Sequence, residues 1–226
     1  KGDHVGHLKQ MDTAWTIRDV LQRVKTQKPK FRPGETGKVN YSDTNYQILG
    51  AIIEKVTNMW IGDAFDYYIF KPLHLYDTFA FVETSKEEIA PLLHKKDQFF
   101  APKYMASITA EGGIVSTAKD CMTFLKAFFM GGLFPISEID KLTTNWRLIL
   151  FPGQFYFGVG LEKLWTPRLY FPLKPIKEVL GFWGQTGAFA FYSPEKELFF
   201  TGTINQLSGF GHGAAYKAVT KTIQNA

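Results

Sequence analysis

The chain has 226 residues, 45% of them hydrophobic and 21% charged, which suits one compact domain with a real core. Lys plus Arg number 26 against 21 Asp plus Glu, a net charge of +5, and the basic residues are scattered apart from His94-Lys95-Lys96, so the clustered footprint of a nucleic-acid binder is missing. The single cysteine, Cys121, excludes an intrachain disulfide, and no apolar run reaches the roughly 18 residues of a membrane span, Lys126 interrupting the best stretch.

The chain opens Lys1-Gly2-Asp3-His4, without an initiator Met or the apolar segment of a signal peptide, and reads as an internal start of a soluble chain whose compartment stays open. A helix pattern runs from a Thr16 cap through Val24, followed by the Pro-rich turn Lys28-Pro29-Lys30. Ser42 or Asp43 would cap a second helix with Ile48, Leu49, Ile52, Ile53 and Val56 at helical spacing and Asn58 as its stop. A short helix over about 61–70 is ended by Pro72, and residues 83–110 lack a clean period and read as an irregular excursion, with Glu87-Glu88 and Lys95-Lys96 solvated.

Ser116 or Thr117 caps a further helix through Met130, closed by Gly131-Gly132, with Cys121 as a packed hydrophobe on it. Residues 155–164 and 189–200 read as strands, the second run folded at Ser193-Pro194-Glu195-Lys196 into a hairpin. A C-terminal helix over 213–224 would place Ala215, Ala218, Val219, Thr222 and Ile223 on one side. The expected fold is α/β, an antiparallel sheet flanked by helices.

Asn40-Tyr41-Ser42-Asp43-Thr44-Asn45-Tyr46 sets a tyrosine at a loop-to-helix junction, just behind Phe31-Arg32-Pro33-Gly34. With Lys71-Pro72-Leu73-His74-Leu75-Tyr76-Asp77-Thr78, Glu111-Gly112-Gly113-Ile114-Val115-Ser116-Thr117 and the closing Gly187-Ala188-Phe189-Ala190-Phe191-Tyr192-Ser193-Pro194, followed by Gly202-Thr203-Ile204-Asn205-Gln206, it resembles the serine β-lactamase and penicillin-binding-protein-like hydrolases, and the Trp183-Gly184 pair resembles their esterase branch. The resemblance covers nearly the whole chain. It implies a β-lactamase/transpeptidase-like fold, represented by its C-terminal portion as one domain over residues 1–226.

In that family a Ser-x-x-Lys supplies the nucleophile, a Tyr-x-Asn loop a proton-transfer tyrosine, and a Lys/His-Thr/Ser-Gly strand lines the groove. The resemblance therefore assigns proton transfer to Tyr41, whose phenol needs a neighbouring cation because its ordinary pKa is about 10. Asp43 stands where an asparagine is frequent, and an ionised carboxylate can only accept hydrogen bonds, so two readings stay open for it, a helix cap or a substrate-groove residue. Gly181-Phe182-Trp183-Gly184-Gln185-Thr186-Gly187 aligns with the third motif, placing Phe182 at the cation position and Trp183 at the hydroxyl position, with Gly184 following; an alternative register starts at Gln185. Neither register holds a Lys or His, which favours uncharged esters over a carboxylate-bearing substrate. The Gln185 backbone N–H becomes the oxyanion-hole donor.

The nucleophile segment is expected outside this chain, upstream or on a companion chain. Ser116-Thr117-Ala118-Lys119 and Ser193-Pro194-Glu195-Lys196 also spell Ser-x-x-Lys, but the first matches a capping segment and the second a hairpin turn. The histidines His4, His7, His74, His94 and His212 have no metal-ligand spacing, and neither metal nor other cofactor is expected. Two readings stand: a serine hydrolase of small-molecule esters or amides acting through an acyl-enzyme, or a catalytically inactive relative that binds a peptide or small molecule. Three strands without the upstream ones would expose an edge and an apolar face, which points to a homodimer or to poor solubility of the chain alone.

Overall fold

The computed structural model describes residues 11–149, 155–207 and 210–226. The opening Lys1-Gly2-Asp3-His4, and with it His7, lies outside the described residues, as do the side chains of Glu87 and Glu88. The chain forms two compact units.

The first unit takes in the described part of residues 1–33, Ser42–Leu92 and Lys96–Thr117. It begins with α1 (Ile17–Lys25), whose Thr16 and Asp19 form a reciprocal capping box. Helix α2 (Thr44–Thr57) follows the tyrosine loop and ends at Asn58, whose φ of 55° is the left-handed conformation that asparagine tolerates. Asp43 occupies the cap position in helical conformation without a side-chain cap bond, a correction to the expected carboxylate cap; its carbonyl accepts from the N–H groups of Tyr46 and Gln47 instead. Helix α3 (Ile61–Phe65) runs into a π-helical turn, Asp66–Phe70.

Residues 83–110 are more regular than their sequence suggests. Strand β1 (Phe79–Ala80) precedes a 3-10 turn (Glu83–Glu88), β2 (Leu92–His94), β3 (Asp97–Phe99) and α4 (Pro102–Ser107), and β4 (Ile114–Val115) pairs antiparallel with β1. The start of α4 is held by Asp12, whose carboxylate accepts from the Lys103 and Tyr104 N–H groups at 2.8 and 3.0 Å. Distance in sequence, not lack of order, hides such a bond from any periodicity.

The second unit takes in Gly34–Tyr41, Leu93–Lys95 and the chain from Ala118 onward. It contains α5 (Ala118–Phe129), α6 (Ser137–Leu142), β5 (Arg147–Leu148), β6 (Phe155–Phe157), β7 (Glu162–Leu164), β8 (Leu180–Trp183), β9 (Ala188–Ser193), β10 (Leu198–Thr203) and α7 (Phe210–Asn225). The last six strands form one antiparallel sheet in the order β10-β9-β8-β7-β6-β5. Three strands were expected here; the run 155–164 is instead a hairpin, and β5 and β8 are too short to show alternation.

Two cores lie on the sheet. Ala215, Val219 and Ile223 of α7, one helical turn apart, pack with Leu164, Val179, Trp183 and Phe191, whereas the expected Ala218 and Thr222 face outward. Leu125 and Phe129 of α5 pack with Ile139, Leu161 and Leu180. Cys121 is half-buried rather than enclosed.

Candidate active site

Strand β8 positions most of the expected site. Successive strand residues face opposite sides, so Phe182 and Trp183 part company. Trp183 is 6% exposed and packs in the α7 core, edge-on to Phe155 at 4.5 Å and to Phe191 at 5.3 Å, and stacked on His212 at 4.7 Å and 10°. Its ring braces the strand from behind. Phe182 is half-buried on the other face, across from Ala190.

Phe182 meets Tyr41. Their ring centroids are 6.1 Å apart, and both touch Phe157, at 5.4 Å from Tyr41 and 6.2 Å from Phe182. Tyr41 is 38% exposed, so this aromatic triangle opens to solvent. Phe157 belongs to no expected site; on a short strand in an aromatic-rich run, only the contact itself identifies it.

Strand β8 is bound on both sides. Gly181 lies opposite Glu162 and Phe191, and a Cβ there would run into the Ala190 carbonyl oxygen, so only glycine lets β9 come this close. Beyond Trp183 the chain turns over Gly184–Gly187. The Gly184 N–H donates to the Ala188 carbonyl at 2.8 Å and the Gly187 N–H to the Gly184 carbonyl at 3.0 Å, with Gly187 at a φ of 81° that glycine adopts freely. The turn is also tied to the strand end after β10: Ile204 N–H donates to the Gly187 carbonyl and Gln206 N–H to the Thr186 carbonyl. Gln185 is exposed, and its N–H takes no part in this ladder. Gly184 is exposed as well.

Behind the strand lies Glu162, 3% exposed, with Oε2 lacking a partner among the described residues. Burial pushes its carboxyl up to about 8, against the pull of a hydrogen bond from the Trp183 backbone. It is therefore mostly neutral at pH 7. Nothing in its sequence neighbourhood marks it, since a carboxylate on a strand ordinarily reads as solvent-facing.

Asp43, in the first unit, lies among Gln47, Tyr104 and Glu111. Burial, with the Asp43 charge adding, raises the Glu111 carboxyl to about 7, while a Gln47 hydrogen bond opposes the shift. Burial pushes the Tyr104 phenol up to about 12, with Glu111 and Asp43 acting in the same sense. Gln47 also donates to the Ser107 carbonyl at 3.2 Å.

The two Ser-x-x-Lys look-alikes differ in access. Ser116 Oγ pairs with Thr78 Oγ1 at 2.7 Å, and Ser193 is fully buried with its Oγ unpartnered among the described residues. A hydroxyl sealed in a core cannot meet substrate. Among the described residues no three His, Cys, Asp or Glu side chains gather as a metal-holding group, and no helix is long and apolar enough to cross a membrane.

A helix-flanked antiparallel sheet, a tyrosine loop and a glycine-rich turn after the central strand define the β-lactamase/transpeptidase-like fold. The chain belongs to the Beta-lactamase family, whose model matches residues 3–222. Solved structures agree in fold. A D-stereospecific amidohydrolase from Streptomyces sp. superposes with a TM-score of 0.73 at 24% identity, over 94% of this chain and 63% of that one. The D-amino acid amidase from Ochrobactrum anthropi SV3, complexed with L-phenylalanine amide, gives 0.72 at 22% identity, over 95% and 65%. EstCE1, a hydrolase with promiscuous acyltransferase activity, gives 0.71 at 17% identity, over 88% and 60%. The chain thus spans less than two thirds of the length of these three structures.

Proposed function

We propose that this chain forms part of a serine hydrolase that cleaves uncharged esters or amides through an acyl-enzyme, with its nucleophilic serine on a segment outside residues 1–226. The observation that carries this reading is the contact of the Tyr41 ring with Phe182, two residues before a turn that leaves the Gln185 N–H out of its own hydrogen bonds. Gln185 follows Phe182 by three residues, a chain reach of at most about 10 Å, which supports placing the aromatic contact and the amide along one groove.

In the proposed reaction the serine oxygen attacks the carbonyl carbon, and the developing oxyanion accepts from the Gln185 N–H. Tyr41 relays the serine proton to the departing alcohol or amine; water then attacks the acyl carbon, the bond from that carbon to the serine oxygen breaks, the serine oxygen regains a proton by way of Tyr41, and the carboxylic acid leaves. Phe182, where the family's groove strand has a cation, gives the site an aromatic wall that suits a neutral substrate. The amidase and hydrolase activities of the similar structures support the same chemical class. The lack of a Lys or His at position 182 also favours the second reading, a relative that binds without turnover.

Intact-mass analysis of the full-length protein after a fluorophosphonate probe and, separately, p-nitrophenyl acetate separates them. The expected result is one covalent adduct on a serine outside residues 1–226. No adduct with either reagent transfers the case to the binding protein, and an adduct on Ser116 would replace the assigned nucleophile.

A further inference from the structure

Among the described residues, one side chain supports the turn at Gly184–Gly187 through the Gly184 carbonyl. His212, near the start of α7, directs Nε2 at the Gly184 carbonyl oxygen at 3.0 Å. A carbonyl can only accept, so Nε2 carries the proton in this contact. The imidazole lies flat on Trp183 at 4.7 Å and 10°, and edge-on to Phe155 at 6.5 Å, which fixes the ring plane and hence the direction of its N–H.

The consequence is carried by peptide planarity. The Gly184 carbonyl and the Gln185 N–H belong to one trans peptide unit and point in opposite directions. That carbonyl accepts from Gly187 N–H at 3.0 Å and from His212 Nε2 at 3.0 Å. Two donors converging on the oxygen prevent the peptide from rotating about its flanking bonds, and the Gln185 N–H is aimed away from α7. Flanking glycine at 184 would otherwise leave this peptide free to turn.

We infer that His212 is a positioning residue for the oxyanion donor: it sets the Gln185 N–H through the Gly184 carbonyl without touching substrate. The assignment rests on the proposed hydrolase reading for its catalytic consequence, and on geometry alone for the clamp. The ring's stacking on Trp183 joins the device to β8, so the strand and the turn move together.

The test uses the full-length protein with His212→Phe, which keeps the ring and removes the donor, and His212→Gln, which restores an amide donor. Selective 15N-glutamine labelling reads the Gln185 amide directly. The clamp predicts that His212→Phe displaces and broadens the Gln185 amide resonance and that His212→Gln returns it toward the wild-type position, at unchanged melting temperature. For p-nitrophenyl acetate, kcat should fall about tenfold or more in the Phe variant with KM within about twofold, and recover in the Gln variant, as expected for a misaimed transition-state donor. An undisturbed Gln185 resonance overturns the clamp. A disturbed resonance with wild-type kcat overturns the catalytic role while leaving the hydrolase reading intact. Absence of any acyl-enzyme in the wild type removes the hydrolase reading and the catalytic role together, and the amide spectrum still decides the clamp.

Discussion

Tyr41 contributes two separable things, a ring and a hydroxyl. The ring packs against Phe157 and Phe182, and phenylalanine would keep that packing. The hydroxyl is the assigned proton carrier. Tyr41→Phe is therefore expected to lower kcat for p-nitrophenyl acetate by about 10²–10⁴, the usual range for losing a general acid-base group, with the melting temperature nearly unchanged. A kcat within twofold of wild type would remove Tyr41 from proton transfer. Glu162 makes a different prediction, about stability. Its folded-state pKa, raised to about 8, lies above the ordinary carboxylate value, so the folded state holds a proton that the unfolded chain releases. Stability is then greatest below about pH 4.5 as far as this group is concerned, declines as the pH rises, and has lost the full increment above about pH 8. The increment is on the order of a few kcal/mol at most. Glu162→Gln should flatten the denaturation midpoint between pH 5 and 8, where the wild type slopes downward; an unchanged slope in urea titrations would show that Glu162 does not titrate in this window.

Short elements carry the site, and that determines how much could be read in advance. Helices α1, α2, α5 and α7 were legible because caps, periodicity and stop residues repeat over nine or more residues. Strand β8 has only four residues, and β5 two, so no alternation could build up; β8 was visible only through its likeness to a family motif. The same motif placed Phe182 and Trp183 side by side, but the pleat sends them to opposite faces, a fact that motif spacing alone does not express. Phe157 and His212 come from distant segments and owe their place to the sheet order and to α7. The turn joining β8 to β9 yields an element-scale prediction. Gly187 has a φ of 81°, where an L side chain costs about 1–2 kcal/mol, and an added Cβ would meet Ile204 at an ordinary contact distance of 3.4 Å, so the cost is that of the backbone. Gly187→Ala should lower the unfolding free energy by roughly that amount and, on the proposed reading, reduce kcat more than KM, because the turn's ladder to Ile204 and Gln206 holds the proposed oxyanion donor. Equal melting curves for the two proteins would show that the turn relaxes without strain.

Over the chain as a whole, the distribution of apolar surface sets its behaviour in solution. In the first unit, α2 buries only Gly50, while Leu49 and Ile52 are each 53% exposed and Val56 is 79% exposed. Ile17 and Leu21 of α1 join Ile48, Ala51, Ile52 and Val56 around an open groove of about 380 Å³, with Lys55 the one charged residue on its rim among the described residues. Apolar residues at helical spacing ordinarily mark the face a helix buries, and here much of that face meets solvent. Such a surface gains free energy by covering itself, at about 25 cal/mol per Å² of apolar area removed from water. Residues 1–226 produced alone are therefore expected to self-associate in sedimentation velocity, with the sedimentation coefficient rising with concentration. Replacing Leu49, Ile52 and Val56 together by serine should return the species to monomer without altering far-UV circular dichroism, because none of the three is enclosed in either core. Self-association that survives the triple substitution would move the contact to another surface, such as the loop bearing Leu169 and Leu173, exposed at 83% and 93%. A concentration-independent monomer in the wild type would show that the α2 face is tolerated in water, leaving the net charge of +5 to keep the chains apart.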